Sequence, residues 1–303
     1  MFITEHNRTD VSSYYEVLME KVILIFPIIL CLCGLVGNGM VIWLLGFCMK
    51  RNHFSVYILN LAVADFTFLL SAIMWITAEL TLNTGFLFRF ANTLCLSSYS
   101  VGLILLITIS IERCVSVLWP LWYKCHHAEH LSTIVCALIW ALFHIFILII
   151  YIFSDYKIKD VSIVCYIYGF ITLPAFLVLF VSNLTLFIRV HCFSQQRNSS
   201  RAYWTILLNV LVFLLLSVPN GVYMVCEFFM EKPLFTSEIL IFNTLCTVNS
   251  SVNPIIYFFI GRYRQQGGRK RLQEVLQRAL TDENDEAEQR RGRPSFQTEH
   301  DIP

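Results

Sequence analysis

Residues 22–47 read VILIFPIILCLCGLVGNGMVIWLLGF, 26 residues without one charged side chain. At 1.5 Å of rise per residue, about 20 apolar residues cross roughly 30 Å of hydrocarbon, so this stretch is long enough to span a bilayer. Six further stretches repeat the pattern: Phe54 to Ala78, Phe90 to Ile111, Leu131 to Phe153, Val161 to Ile188, Tyr203 to Cys226 and Leu234 to Ile260. Backbone amides in lipid must find partners inside their own segment, so runs of this length and content fold as helices, a barrel needing short alternating strands instead. The expected fold is an all-α membrane protein, a seven-transmembrane helix bundle over 22–260.

Composition agrees. The 303 residues are 57% hydrophobic and 14% charged, which excludes a soluble globular domain of this size. The net charge of +1 says little, because in a membrane protein the placement of Lys and Arg decides orientation. With the N-terminus outside, 13 basic residues from Lys50 to Arg278 fall on the inner side and six fall outside, namely Arg8, Lys21, Arg89, Lys157, Lys159 and Lys232. That asymmetry orients the chain with residues 1–21 as an extracellular tail and everything from Arg262 in the cytoplasm, and seven crossings make the two ends consistent. Residues 1–20 hold no cleavable signal pattern, which leaves the first span as the insertion signal. Of the four Asn-x-Ser/Thr sequons, at Asn7, Asn183, Asn198 and Asn249, this topology exposes only Asn7 to glycosylation.

Residues 262–280 read as an amphipathic helix along the inner leaflet, with Leu272, Val275, Leu276, Ala279 and Leu280 on one face and Arg269, Lys270, Arg271 and Arg278 supplying charge to meet membrane lipids. The tail 281–303 is apolar-poor and is expected to be disordered, with Ser295 and Thr298 as phosphorylation candidates for arrestin. The eleven cysteines show no metal-ligand spacing. Cys165, near the outer end of the fifth span, is placed for a disulfide, with Cys95 and Cys226 as open alternatives for its partner.

Polar groups inside the spans carry the functional reading. An ionisable residue at mid-helix costs roughly 2.5–3.5 kcal/mol on insertion scales, so it needs partners. Asp65 is the deepest, with Asn38 on the first span and Asn249, Ser250 and Asn253 on the seventh as its candidate partners. The set is a structural knot, a sodium-type site or both, and no other cofactor or metal is expected. Pro254, in Asn253-Pro254-Ile255-Ile256-Tyr257, removes a backbone donor and makes a natural hinge, and Pro219 does the same in the sixth span. At the inner end of the third span, Glu112-Arg113-Cys114 puts an acid and a base at the water boundary, where Arg113 can pair with Glu112 in one state and reach a cytoplasmic crevice in another.

These motifs together resemble the rhodopsin-like G-protein-coupled receptors: Gly37-Asn38-Gly39-Met40-Val41, Leu61-Ala62-Val63-Ala64-Asp65, Glu112-Arg113-Cys114, Trp140, Pro219 and Asn253 to Tyr257 occur in the family's order and depth. Ile111 to Tyr123, Asn249 to Phe258 and Leu276 to Leu280 are similar to the Mas-related branch in particular, and the likeness covers residues 22–281. It implies a plasma-membrane receptor for a peptide or small molecule that activates heterotrimeric G proteins in sensory neurons or immune cells. The resemblance also implies departures from most of the family. Cys114 and Ser217 stand where Tyr and Trp are usual, Phe88 replaces the usual third-span cysteine, and no cysteine near Ile152 or Phe153 can meet Cys165.

Ligand residues are less legible. The positions where relatives are expected to place acids fall near Leu148 and Gly169, and the amine-receptor Asp position holds Cys95. What remains is an acidic rim, Glu79, Glu227, Glu231 and Glu238, around the aromatic residues Trp75, Tyr99, Tyr166, Phe170, Tyr223 and Phe242, suited to basic or mixed apolar ligands. The resemblance implies that Pro219 and Pro254 act as pivots while Arg113 meets the G protein. With no acid in 195–204 and no tyrosine in 182–192, the restraints on Arg113 and Tyr257 look weak, and ligand-independent signalling is expected. Among rivals, a transporter needs repeated halves and a retinal protein needs a lysine in 234–260; neither occurs. No residues converge for an enzyme, His144 reads as a packed or interhelical histidine, and nothing suggests nucleic-acid binding. A non-signalling decoy receptor remains the alternative to a coupled one.

Overall fold

A computed structural model of the chain describes residues 24–49, 52–81, 85–126, 130–156, 161–192, 201–230, 236–262 and 272–280. Every long apolar run is helical: α1 (Leu24–Cys48), α2 (His53–Leu80), α3 (Phe86–Leu118), α5 (Leu131–Tyr156), α6 (Val161–Cys192), α7 (Arg201–Met230) and α8 (Thr236–Arg262). Among the described residues there are also two short helices, α4 (Pro120–His126) and α9 (Leu272–Leu280). The seven long helices are each 25 residues or more, so each suffices to cross the hydrocarbon. They form a seven-transmembrane bundle.

The bundle has the polarity of a lipid-embedded protein. Along α2, Phe54, Tyr57, Ile58, Leu61, Ala62, Asp65, Phe68, Leu69 and Ala72 recur at helical spacing and are buried. The outward faces stay apolar and exposed, with Val36 and Leu215 at 66% and Phe47 at 83%. In water such a surface would aggregate; in lipid it is the solvated face. Several hydroxyls within the spans bond the carbonyl one turn back, as Ser98 does on Leu94 (2.8 Å) and Thr108 on Ile104 (2.8 Å).

α3 stands at the centre, touching α2, α5, α6 and α7. α2 starts on a reciprocal capping box: Ser55 N donates to Asn52 Oδ1 and Asn52 N donates to Ser55 Oγ, both at 2.8 Å. Asn52 Nδ2 also donates to Leu280 O (3.3 Å) and Gln273 Nε2 to Cys48 O (2.8 Å), so α9 is tied to the inner ends of α1 and α2. The fully buried Leu276 and Leu280 fix its apolar face.

The helices outrun the apolar runs that predicted them. α3 covers Phe86 to Leu118 around the run 90–111, which places Glu112 and Arg113 inside the helix, and α2, α5, α6 and α7 exceed their runs by up to four residues at an end. α4 is an unanticipated helix; Trp119 breaks the path of α3 and Pro120 then occupies a first-turn position that needs no N–H. Of the helix read over 262–280, α8 takes Arg262 and α9 takes 272–280, while 263–271 lie outside the described residues. Pro174 lies inside α6, as Pro219 and Pro254 lie inside α7 and α8. His144 is exposed and bonds its own helix at Trp140 O (2.9 Å), so it is not an interhelical contact. Asn7 and the tail 281–303 lie outside the described residues.

Candidate functional site

Close helix approach builds the inner site. At Gly34 an added Cβ would stand 2.7 Å from Leu69 Cδ1 and 2.9 Å from Ser251 Cβ, and at Gly37 it would be 3.1 Å from the Pro254 ring. Glycine therefore lets α1 lie directly against α2 and α8. Asn38, fully buried, donates to Gly34 O on its own helix and to Ser250 O on α8, both at 3.0 Å. Its amide spans two helices and does not bond Asp65. That carboxylate, 6% exposed, accepts from Asn253 Nδ2 at 2.6 Å and has the Ser250 hydroxyl beside it. Asn249 is buried, and its Oδ1, like Asn38 Oδ1, has no hydrogen-bond partner among the described residues.

Further inward the polar chain passes to α7. Tyr257 is fully buried, and its hydroxyl accepts from Asn209 Nδ2 at 3.2 Å. Asn209 was not anticipated from the sequence, although an amide inside the apolar run from Thr205 to Phe213 was the available signal. It supplies, from α7, the restraint on Tyr257 that the missing tyrosine of α6 left open.

Arg113, 9% exposed, lies with its guanidinium 4.1 Å from the Phe54 ring centroid, a cation–π contact between α3 and α2. Glu112 accepts from the Tyr123 hydroxyl of α4. Burial, followed by the neighbouring Glu112, pushes the Tyr123 phenol up from its ordinary value, so it remains a donor at physiological pH. Cys114, where tyrosine was noted as usual, directs its thiol to Ser182 O on α6 (3.3 Å). Thus the three residues of one motif reach three different helices.

Toward the outer side, four rings cross the bundle. Phe68 of α2 and Tyr99 of α3 lie 6.1 Å apart, Tyr99 and Phe213 of α7 6.2 Å, and Phe213 and Phe176 of α6 5.9 Å. Tyr99 is only 8% exposed, inside this column, and Ser217 is fully buried one turn above Phe213. The column occupies the centre of the bundle where no tryptophan precedes Pro219. Among the other pocket residues read from the sequence, Trp75 is half-buried against Phe88 (6.2 Å), Glu79 is exposed and Cys95 is half-buried. The side chains of Tyr166, Phe170, Tyr223, Glu227, Glu238 and Phe242 lie outside the described residues, as does that of Cys165. Cys95 is a free thiol, which removes it as the partner of Cys165. No group of three metal-ligating side chains occurs among the described residues.

A bundle of seven apolar helices with this interior defines a class: residues 37–257 match the family described as 7 transmembrane receptor (rhodopsin family). Its relatives narrow the class. The chain is 40% identical over 287 residues to Mas-related G-protein coupled receptor member X3 of Macaca mulatta, covering 92% of this chain and 88% of the relative. Against member X1 of Homo sapiens the identity is 39% over 289 residues (90% and 88%), and against member A1 of Mus musculus 42% over 270 residues (84% and 88%). The chain belongs to the Mas-related G-protein coupled receptors, a family of signalling receptors and not of enzymes.

Proposed function

We propose that this receptor binds a peptide or small molecule at its outer mouth, at the plasma membrane with the N-terminus outside, and signals by moving the inner half of α7 away from α8. The observation that carries the reading is the Asn209–Tyr257 hydrogen bond, which joins α7 to α8 on the inner side of both Pro219 and Pro254. A ligand drives the change only by contacting the open state better than the closed one. The column Phe68, Tyr99, Phe213 and Phe176 connects the floor of the outer mouth to α6 and α7, so a ligand pressing on it is felt by the helix that must move. Outward motion of α7 parts Asn209 from Tyr257 and uncovers Arg113 for a heterotrimeric G protein, while Tyr123 keeps Glu112 occupied. Arrestin would follow through Ser295 and Thr298.

The cluster around Asp65 suits a sodium ion in the closed state. One carboxylate and the two buried amide oxygens of Asn38 and Asn249 are hard oxygen ligands, the donor type such an ion requires. The transporter alternative has no support in the family or the fold.

The test expresses the receptor and an Arg113→Ala variant at matched surface density, applies peptides, bile acids, purines and amines, and reads several second messengers. Responses confined to the intact receptor support the proposal. An agonist response undiminished in Arg113→Ala would contradict the inner half of it, and silence of purified receptor toward every G protein tested would favour a decoy.

A further inference from the structure

An amphipathic helix resting on the inner leaflet turns its apolar face to lipid. α9 does not: Leu276 and Leu280 are fully buried and join the same continuous core as Phe54, Leu61 and Tyr257. Two hydrogen bonds set its direction. Near its start Gln273 Nε2 donates to Cys48 O at the inner end of α1, and at its last residue Leu280 O accepts from Asn52 Nδ2 at the start of α2. The rise from Gln273 to Leu280 is about 10 Å, close to the roughly 8–10 Å between packed helix axes, so α9 lies crosswise beneath the α1–α2 pair. Along its flank it lies against α8 and also against α7. Because α9 is held at the inner ends of α1 and α2, its contact with α7 falls at the inner end of that helix, the part that the proposed opening moves.

We infer that α9 is an autoinhibitory latch: seated on α1 and α2, it holds the inner end of α7 against α8, and α7 must leave it before the receptor couples. The consequence for signalling rests on the coupling proposed above, whereas the latch itself rests on the contacts of α9. Asn52 is its fastening. The Asn52 Oδ1 accepts from Ser55 N in the first turn of α2, while its Nδ2 satisfies a carbonyl at the end of α9 that has no partner within its own helix. One amide therefore closes two helix ends, and only a side chain with both an acceptor and a donor does so. Leu276 and Leu280 supply the grip. A helix of nine residues is marginal on its own in water, so α9 persists because it is docked, and loosening the docking loses the helix with it.

Spin labels on genetically encoded amino acids at the exposed positions Glu274 of α9 and Trp204 of α7 read the latch in full-length receptor in nanodiscs, with no agonist or G protein present. The 274–204 distance should be single and narrow in the intact receptor. It should broaden in Leu276→Glu, which puts a charge where the core grips α9, and in Asn52→Asp, which keeps the cap on α2 but sets an oxygen against Leu280 O. In cells both variants should raise basal second messenger about three-fold at matched surface density, while Glu274→Gln leaves it unchanged. Thermal stability measured in detergent confirms that each variant is folded, and a chain lacking residues 272–280, which has no latch to misplace, should give at least the same rise. Basal output unchanged in all three, or a broad 274–204 distribution in the intact receptor, would overturn the inference. Adding Arg113→Ala to Leu276→Glu separates the two proposals: a rise that Arg113→Ala abolishes supports both, and a rise that persists supports the latch while contradicting the coupling role of Arg113.

Discussion

The seam where α1 meets α2 and α8 and the seam where α7 meets α6 are both built around a glycine, yet they are held by opposite means. At the first, Gly34 admits Ser251 and Leu69, and Asn38, Ser250, Asp65 and Asn253 then bond across three helices. At the second, Gly221 admits only the rim of the Phe176 ring, and the neighbouring contacts are aromatic or aliphatic. Hydrogen bonds in a low-dielectric interior are directional and fix one register, whereas apolar packing tolerates sliding and tilt. A fixed seam beside a compliant one is what a receptor needs if α7 is to move against a bundle that stays put.

Substitutions at the two glycines should separate the seams most sharply. Gly34→Val is expected to cost about 3 kcal/mol, because the Cβ of Ser251 cannot retreat, and surface staining should fall at least ten-fold. Asp65→Ala leaves Asn253 and Ser250 without their shared acceptor and is expected to cost about 2 kcal/mol of thermal stability, with loss of any sodium effect on basal signalling. Gly221→Ala should cost no more than about 1 kcal/mol, since the Phe176 ring edge can turn aside; an expression loss as large as that at Gly34 would erase the contrast. Tyr257→Phe deletes the α7–α8 bond, worth about 1 kcal/mol, and should raise basal second messenger about five-fold at unchanged surface density. Tyr123→Phe, near the water boundary, should shift coupling efficiency by no more than about two-fold.

The rigid seam was largely legible in the sequence and the compliant one was not. Asp65, Asn38 and the Asn253-Pro254 motif are polar residues in apolar runs, and lipid makes each of them conspicuous. Their partnering was less so: Asn38 was read as a ligand of the carboxylate but spends its amide on Gly34 O and Ser250 O, because backbone carbonyls of a neighbouring helix leave no mark in a sequence. Asn209 obeyed the same rule as Asp65 and was missed in a run of leucines and valines. The aromatic column could not be read, since Phe68, Phe176 and Phe213 are three of 25 phenylalanines and only the packing of four helices distinguishes them. Helix ends were illegible for a related reason: the hydropathy contrast reports where apolar side chains stop, while Phe86–Leu118 continues as helix beyond that point.

The restraint on α7 bears on resting activity. The sequence alone suggested loose control of Arg113, and the structure supplies two contacts in its place, the Phe54 ring over the guanidinium and the Asn209–Tyr257 bond. Each is worth roughly 1 kcal/mol, so on the proposed mechanism each favours the closed state only modestly.

The most direct measurement places spin labels, carried on genetically encoded amino acids, at the exposed positions Trp204 of α7, Leu131 of α5 and Phe47 of α1, and records their separations by pulsed dipolar spectroscopy before and after nucleotide-free G protein is added. The 204–131 distance should lengthen by several ångströms, and should already be longer in Tyr257→Phe, while the 47–131 distance stays constant. Equal lengthening of both distances, or no lengthening of the first in a complex that exchanges nucleotide, would contradict the division into a fixed and a moving seam.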